Sequence, residues 1–306
     1  MPINTLQYAT IFQQALDKQM VALATSGWME ANAGQVKYHG GAEVKIPKLS
    51  LQGLADYDRD DGFVQGSVTL EYQTFVMTQD RGRTFQLDAM DVDETGFVAN
   101  ATTVMSEFQR VHVVPEVDSY RYSKIYALAN TAGNVTTGYT PDAKDILTRL
   151  KEDIATVEDI AGDLADLVIT MSIPAANVLD QCDQVRRVLD VADFTKGGVT
   201  TKVKALDGVP IIKVPSNRMK TAYVIKDGTS TGQEAGGFAP AEGAKQINWI
   251  ICRRTAPIAI SKTEKVRIFE PNVNQKADAW KLDYRKYHDL WIPENRLAAI
   301  RVNIGA

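Results

Sequence analysis

Two extended segments, EVKIPKLSLQGL (Glu43 to Leu54) and GSVTLEYQTFVM (Gly66 to Met77), flank the charged, glycine-containing stretch ADYDRDDGFVQG (Ala55 to Gly66). Val44, Ile46, Leu49 and Leu51 are the apolar teeth of the first segment, and Val68, Leu70 and Tyr72 alternate on the second. This pattern predicts a long β-hairpin. Pro47 shifts the parity of the first limb and, lacking an N–H, confines it to a sheet edge or a bulge. A limb of about a dozen residues spans roughly 40 Å, whereas a compact chain of this length has a radius of gyration of about 19 Å. The hairpin therefore projects. A lone two-stranded hairpin is marginal in water, so it needs a surface to lie on. If its own body is too small to cover it, that surface belongs to another copy.

After the hairpin comes TFVMTQDRGRTFQLDAMDVDET. Asp80-Arg81-Gly82-Arg83 reads as a corner, with Gly82 free to take positive φ, that turns the chain into a strand bearing Phe85, Leu87 and Ala89. General acid–base catalysis needs groups in a desolvated cleft, and a corner does not supply one. Phe97, Ala101, Val104, Met105, Phe108 and Val111 then follow at helical spacing behind Asp91 or Asp93 as N-cap. Pro115 restarts a helix through Val117, Tyr120, Ile125 and Leu128. From Tyr139 the texture is α/β. Thr140 caps a helix with Pro141 at its first position, and its stripe is Ile146, Leu147, Leu150, Ile154 and Val157. DLVITM is a short buried strand, and Pro174 opens a helix with Val178, Leu179, Cys182, Val185 and Leu189. Asp207-Gly208 is a hairpin turn between two strands. KDGTSTGQEAGGFAPAEGAK (Lys226 to Lys245) has no period and reads as a mobile or partner-ordered loop. INWIIC, PIAIS, the alternating Trp280, Leu282 and Tyr284, and Ile300, Val302 and Ile304 are strands.

Chemistry is hard to find. The net charge of −4 does not fit affinity for nucleic acid through phosphate neutralisation, though it permits a protein that merely surrounds DNA. No apolar run is long enough to span a membrane. The N-terminus, with Ile3, Leu6, Ile11, Phe12, Leu16 and Met20, reads as an amphipathic arm without a secretory signal, which implies cytoplasmic synthesis. Cys182 and Cys252 read as reduced core residues. His39, His112 and His288 are scattered and offer no metal-ligand spacing. There is no phosphate loop, no GxGxxG after a strand and no GxSxG elbow. Trp280, Tyr284, Tyr287 and Trp291 alternate as sheet-packing residues do. No enzyme activity and no cofactor is expected.

The stretches VTLEYQTFVMTQDRGRTFQLDAMDVDET, ALDGVPIIKVPSNRM and AGGFAPAEGAKQINWIICRRTAPIAISKTEKVRIFEPNVNQKADAWKLDYRKYHDLWIPEN resemble the major capsid proteins of tailed bacteriophages. The resemblance implies an α+β fold with an N-terminal arm (residues 1–40), an extended loop (41–79) and a peripheral domain (80–140). That domain would carry a spine helix over residues 95–114 and a thin antiparallel sheet. An α/β axial domain (141–260) and a return to the peripheral sheet (261–306) complete it. The implied role is a homo-oligomeric shell of hexamers and pentamers in the virion, assembled in the bacterial host cytoplasm. The implied partners are a scaffolding protein, a portal, and packaged double-stranded DNA bound without sequence specificity. Lys45, Lys48, Tyr57, Arg59, Asp60, Asp61, Arg81 and Arg83 are the expected subunit-interface residues. Some relatives crosslink Lys to Asn. Lys45 and Lys48, with Asn272, Asn274 and Asn295, are present here, but no catalytic Glu is marked, so crosslinks are not expected. The nearest alternative is an encapsulin-like compartment shell. A hydrolase using Asp80, Asp88 and Asp91 is the alternative of another class.

Overall fold

The computed structural model describes residues 24–35, 43–60, 62–88, 104–182, 190–196 and 199–306. The predicted arm through Met20, the cap at Asp91 or Asp93, and Val185 and Leu189 lie outside them. The first described segment, residues 24–35, contains a 3₁₀ turn that buries Trp28 and Met29 in the main core.

The largest sheet has seven strands: β4 (Val135–Thr136), β5 (Leu167–Ser172), β6 (Asp190–Lys196), β7 (Val199–Leu206), β8 (Val209–Val214), β11 (Ile247–Arg253) and β14 (Ile300–Ile304). Their order is β4-β14-β11-β5-β8-β7-β6, and only β5–β8 and β14–β4 run parallel. Helices cover both faces of its centre. On one face Ile169, Met171, Trp249 and Ile251 pack against α2 (Ile146–Ala161) and α3 (Ile173–Gln181). On the other, Val168, Ile250, Cys252 and Val302 meet Tyr122, Ile125 and Ala129 of α1 (Val114–Thr131). A strand covered on both sides needs no polar alternation. Hence LVITMS is buried at every position. Cys182 and Cys252 are buried thiols, the latter pushed up to about 12 by burial. Asp207 and Gly208, at φ 51° and 83°, form the tight turn between β7 and β8.

A second, thin sheet has the order β12-β13-β3, from β3 (Gln79–Asp88), β12 (Ile258–Phe269) and β13 (Ala279–Trp291). Its inward face, with Leu282, Tyr284, Phe85, Leu87, Val266 and Ile268, packs on Met105, Val113, Val114 and Val117. A small hairpin, β9 (Tyr223–Ile225) with β10 (Phe238–Pro240), stands beside it. The projecting pair, β1 (Glu43–Leu51) and β2 (Val68–Val76), forms a sheet of its own.

Four expectations need correction. Asp80 to Arg83 is not a corner: β3 starts at Gln79, and Arg81 and Gly82 pair with Lys286 and Arg285. Gly82 is there for closeness, not for positive φ, since a Cβ would sit 2.7 Å from the Tyr284 carbonyl oxygen. Pro115 restarts nothing. Residues 104–108 lead through a π turn (Gln109–Val113) directly into α1, so the helical run expected to stop at Val114 continues to Thr131. The π turn shifts the hydrogen-bond ladder just where the Pro115 N–H is missing. Helix α2 begins at Ile146, not behind Thr140, because residues 143–145 form a turn. Finally, Lys226 to Lys245 is not a featureless loop: part of it is β10, and Asp227 folds the stretch after β9 by accepting the Thr229 and Ser230 N–H groups.

Two carboxylates, the buried Asp118 and the half-buried Glu30, tie the N-terminal segment down. Asp118 accepts from the Thr25 and Ser26 N–H groups, each at 3.0 Å, from both hydroxyls, and from Arg218. Glu30 pairs with the fully buried Arg121. Burial pushes the Glu30 carboxyl up, but the charges of Arg121 and Lys286 outweigh it and hold the group down to about 2, from its usual 4.5. A lowered carboxyl stabilises the fold fully above its unfolded value and loses that contribution as pH falls through the folded value. Residues 24–35 should therefore gain hydrogen exchange as pH drops from 4.5 toward 2, earlier than the centre of the seven-stranded sheet. Gly82→Ala should lower stability by roughly 1–3 kcal/mol in urea unfolding, because the Tyr284 carbonyl is backbone and cannot step aside.

Candidate interaction surface

The β1–β2 register is unbroken from Glu43↔Val76 to Leu51↔Val68, so Pro47 sits in an edge strand without a bulge, and the apolar teeth change faces across it. Val44 and Ile46 therefore face one way, and Leu49 and Leu51 the other. The first pair roots the hairpin. Val44, Ile46 and Met77 pack with Ile258, Ile260 and Trp291, and the Phe75 ring lies 5.8 Å from Trp291. Beyond this root that face turns polar, with Lys48 opposite Glu71 and Ser50 opposite Thr69. The other face stays apolar to its end, through the pairs Pro47–Tyr72, Leu49–Leu70 and Leu51–Val68.

Nothing among the described residues covers that second face. Ten of the fifteen large exposed hydrophobic side chains lie between Leu49 and Val76, including Phe63 at 89% and Leu54 fully open. This concentration marks a contact surface rather than scattered exposure. The tip keeps local order through the Asp58–Gly62 backbone bridge, at 3.2 and 2.9 Å, and through the Tyr57 ring 4.8 Å from Phe63. Asp56, Asp58, Arg59 and Asp60 give the same turn a net negative charge.

Two anchors set the hairpin against the body. At the exit of β2, Asp289 is wholly buried and accepts from the Thr78 N–H at 2.9 Å, the Thr78 hydroxyl at 3.0 Å and the Tyr120 hydroxyl at 2.7 Å, and it pairs with Lys124. Along β1, Lys48 reaches Glu294 at 2.9 Å on the surface. The hydrogen bond to Glu294 raises the Lys48 pKa, and that to Lys48 lowers the Glu294 pKa.

The expected interface residues thus fall into two places. Lys45, Lys48, Tyr57, Arg59 and Asp60 lie on the hairpin. Asp61 lies outside the described residues. Arg81 and Arg83 are elsewhere, on the inward face of β3. There Arg81 pairs with Glu116 at 2.7 Å, and Arg83 donates to the Glu234 carbonyl. Sequence reasoning missed Asp289 and Thr78, and with them the anchor. Asp289 follows an alternating polar run and carries no signal of burial there. Among the described residues no group of three His, Cys, Asp or Glu could hold a metal ion, and no helix is long and apolar enough to cross a membrane.

No protein-family model matches the chain, and no curated protein matches it. Solved structures do. The capsid of the cyanophage P-SCSP1u is similar over 88% of this chain and 85% of its own, with TM-score 0.59 and 12% identity. The mature capsid of bacteriophage PhiM1 is similar over 87% and 82%, with TM-score 0.56 and 13% identity. A virus-like particle from Pyrococcus furiosus is similar over 97% and 99%, with TM-score 0.52 and 9% identity. The chain has the α+β fold of these shell proteins.

Asp289→Ala should cost about 3–5 kcal/mol in denaturant unfolding, because it removes the buried partner of the Lys124 ammonium and with it the hydrogen bonds from Thr78 and Tyr120. Lys48→Ala should leave the unfolding midpoint unchanged, since that pair is exposed to solvent.

Proposed function

We propose that this chain is the major capsid protein of a tailed bacteriophage or prophage, a shell subunit whose function is association rather than turnover. The observation that carries the reading is the apolar outer face of the β1–β2 hairpin, which the described chain leaves open. Burying one such side chain contributes about 1.5–3 kcal/mol. A row of them on a rooted ribbon therefore supplies a strong contact if a sister molecule provides the other half. The fold shared with capsid proteins supports the same reading.

In this reading residues 1–40 act as an arm and 41–79 as the extended loop. Residues 80–140 and 261–306 form the peripheral domain, and 141–260 form the axial domain that gathers at symmetry axes. Copies join through heterologous contacts into hexamers and pentamers, which close into an icosahedral head. Many modest contacts over arm, loop and domain edges add up through multivalency. Lys45, Lys48, Tyr57, Arg59, Asp60, Asp61, Arg81 and Arg83 would contribute at subunit boundaries. A scaffolding protein and a portal are the expected helpers, and double-stranded DNA is the content, enclosed without base-specific contact. Assembly would take place in the host cytoplasm and leave the protein in the virion.

A second reading has its own support. The Pyrococcus furiosus particle matches nearly end to end, which favours an encapsulin-like compartment on the same fold. The contents of purified particles separate the two: nucleic acid for a head, protein cargo for a compartment.

Negative-stain microscopy of the expressed chain, with its scaffolding partner where one is encoded nearby, should show closed shells. Deleting residues 55–66 should leave a monomer with native circular dichroism and unfolding midpoint but no shells. Normal particles from that deletion would overturn the reading.

A further inference from the structure

A cavity of about 280 Å³ lies between the inward face of β3 and β13, the helical run and the β9–β10 hairpin, apart from the projecting ribbon. Arg81 and Lys286 stand directly opposite each other on its sheet wall. Like charges in a cross-strand pair are unfavourable. Here each is compensated separately, Arg81 by Glu116 and Lys286 by Glu264, both at 2.7 Å.

Two other groups that line the cavity are differently placed: Arg83 has no counter-charge among the described residues, and His288 has a ring nitrogen without a partner. Arg83 reaches only the Glu234 carbonyl, at 3.4 and 3.5 Å, and meets no carboxylate among the described residues. Its guanidinium lies along a bare glycine wall, where a Cβ on Gly228 or Gly236 would come within 3.3 Å. His288 is only 3% exposed, and its Nδ1 has no hydrogen-bond partner. Burial, then the nearby charges of Arg121, Lys286, Lys124 and Arg81, push its pKa well below the usual histidine range. Of the acids that line the cavity, Glu116 is taken by Arg81, and Asp227 is turned toward the Thr229 and Ser230 N–H groups at 2.8 and 2.9 Å.

We infer that this cavity is a binding site for a single oxyanion group, a carboxylate or a phosphate, with the Arg83 guanidinium as its principal donor. A guanidinium presents parallel N–H groups that match two oxygens of such an anion. Two sources carry this chemistry. One is inorganic phosphate from solution. The other is the acidic tip around Asp58 and Asp60 of a second copy, and that source alone rests on the shell reading.

Calorimetry on the full chain tests the inference. Inorganic phosphate should give a saturable heat that sodium chloride at matched ionic strength does not. Arg83→Gln should weaken it about tenfold or more, the loss expected for one charge-assisted contact. Arg83 is exposed, so the variant should keep the parental melting temperature, measured alongside. A peptide of residues 55–62 that displaces phosphate assigns the site to the acidic tip. A peptide without effect beside saturable phosphate assigns it to the free anion. No saturable heat from phosphate or peptide, or equal binding by Arg83→Gln, would overturn the inference, and neither result bears on whether shells form.

Discussion

Three separate parts of the chain converge on the carboxylate of Asp289: the residue that leaves the hairpin, the central helix α1 and the long strand β13. A charged group with no access to water persists only where its lone pairs are filled. Thr78, Tyr120, Lys124 and the Leu290 N–H fill them. A ribbon of nine residues per strand amplifies any angular play at its base, since about 30 Å of lever lies beyond it. The buried anchor removes that play. The hairpin can therefore be an aimed element with an open apolar face.

The body behind the anchor follows a related logic. Apolar side chains on both faces of β5 and β11 commit the seven-stranded sheet to two helical covers, which join α1 on one side to α2 and α3 on the other. The thin sheet packs one face on the helical run and, at the Ile258–Trp291 end, the other on the hairpin root, while charged residues such as Asp283 and Arg285 point outward beyond that root. One unit is built to be rigid and the other to be long and shallow. The hairpin rises from the seam where the segment at residues 24–35, β12 and β13 meet. Asp118 and Arg121 of α1 hold the N-terminal segment from its other side, through Thr25, Ser26 and Glu30.

Much of this was legible in the sequence because periodicity reports burial directly. The hairpin limbs, the Asp207-Gly208 turn, DLVITM and the stripe of α2 each have an apolar pattern that only one local structure satisfies. The failures share a physical cause. Gly82 was read from its backbone freedom, when what matters is a carbonyl 2.7 Å from its missing Cβ, contributed by a strand some two hundred residues away. Pro115 was read as a break, because a π turn that absorbs a missing donor leaves no compositional trace. Lys226 to Lys245 lacks a period because its order comes from Asp227, and from Arg81 and Arg83 on β3, rather than from apolar packing. Pro47, by contrast, sits in an edge strand as its missing N–H requires, since a two-stranded ribbon leaves half its backbone groups unpaired.

That last point explains why the exposed face could stay apolar at all. With no third strand to pair and no core beyond Ile46 to fill, the ribbon's pattern is free of internal constraint past its root. A sequence under no other pressure would drift to polar residues there, as the opposite face does with Lys48, Glu71, Ser50 and Thr69. Instead Leu49, Leu51, Val68, Leu70 and Tyr72 stand together on one side, at a solvation cost that nothing among the described residues offsets. Such an asymmetry between two faces of one ribbon is the pattern of a contact surface. Arg83 has the same character: a guanidinium with no carboxylate partner among the described residues, held at the mouth of a cavity by carbonyl contacts alone.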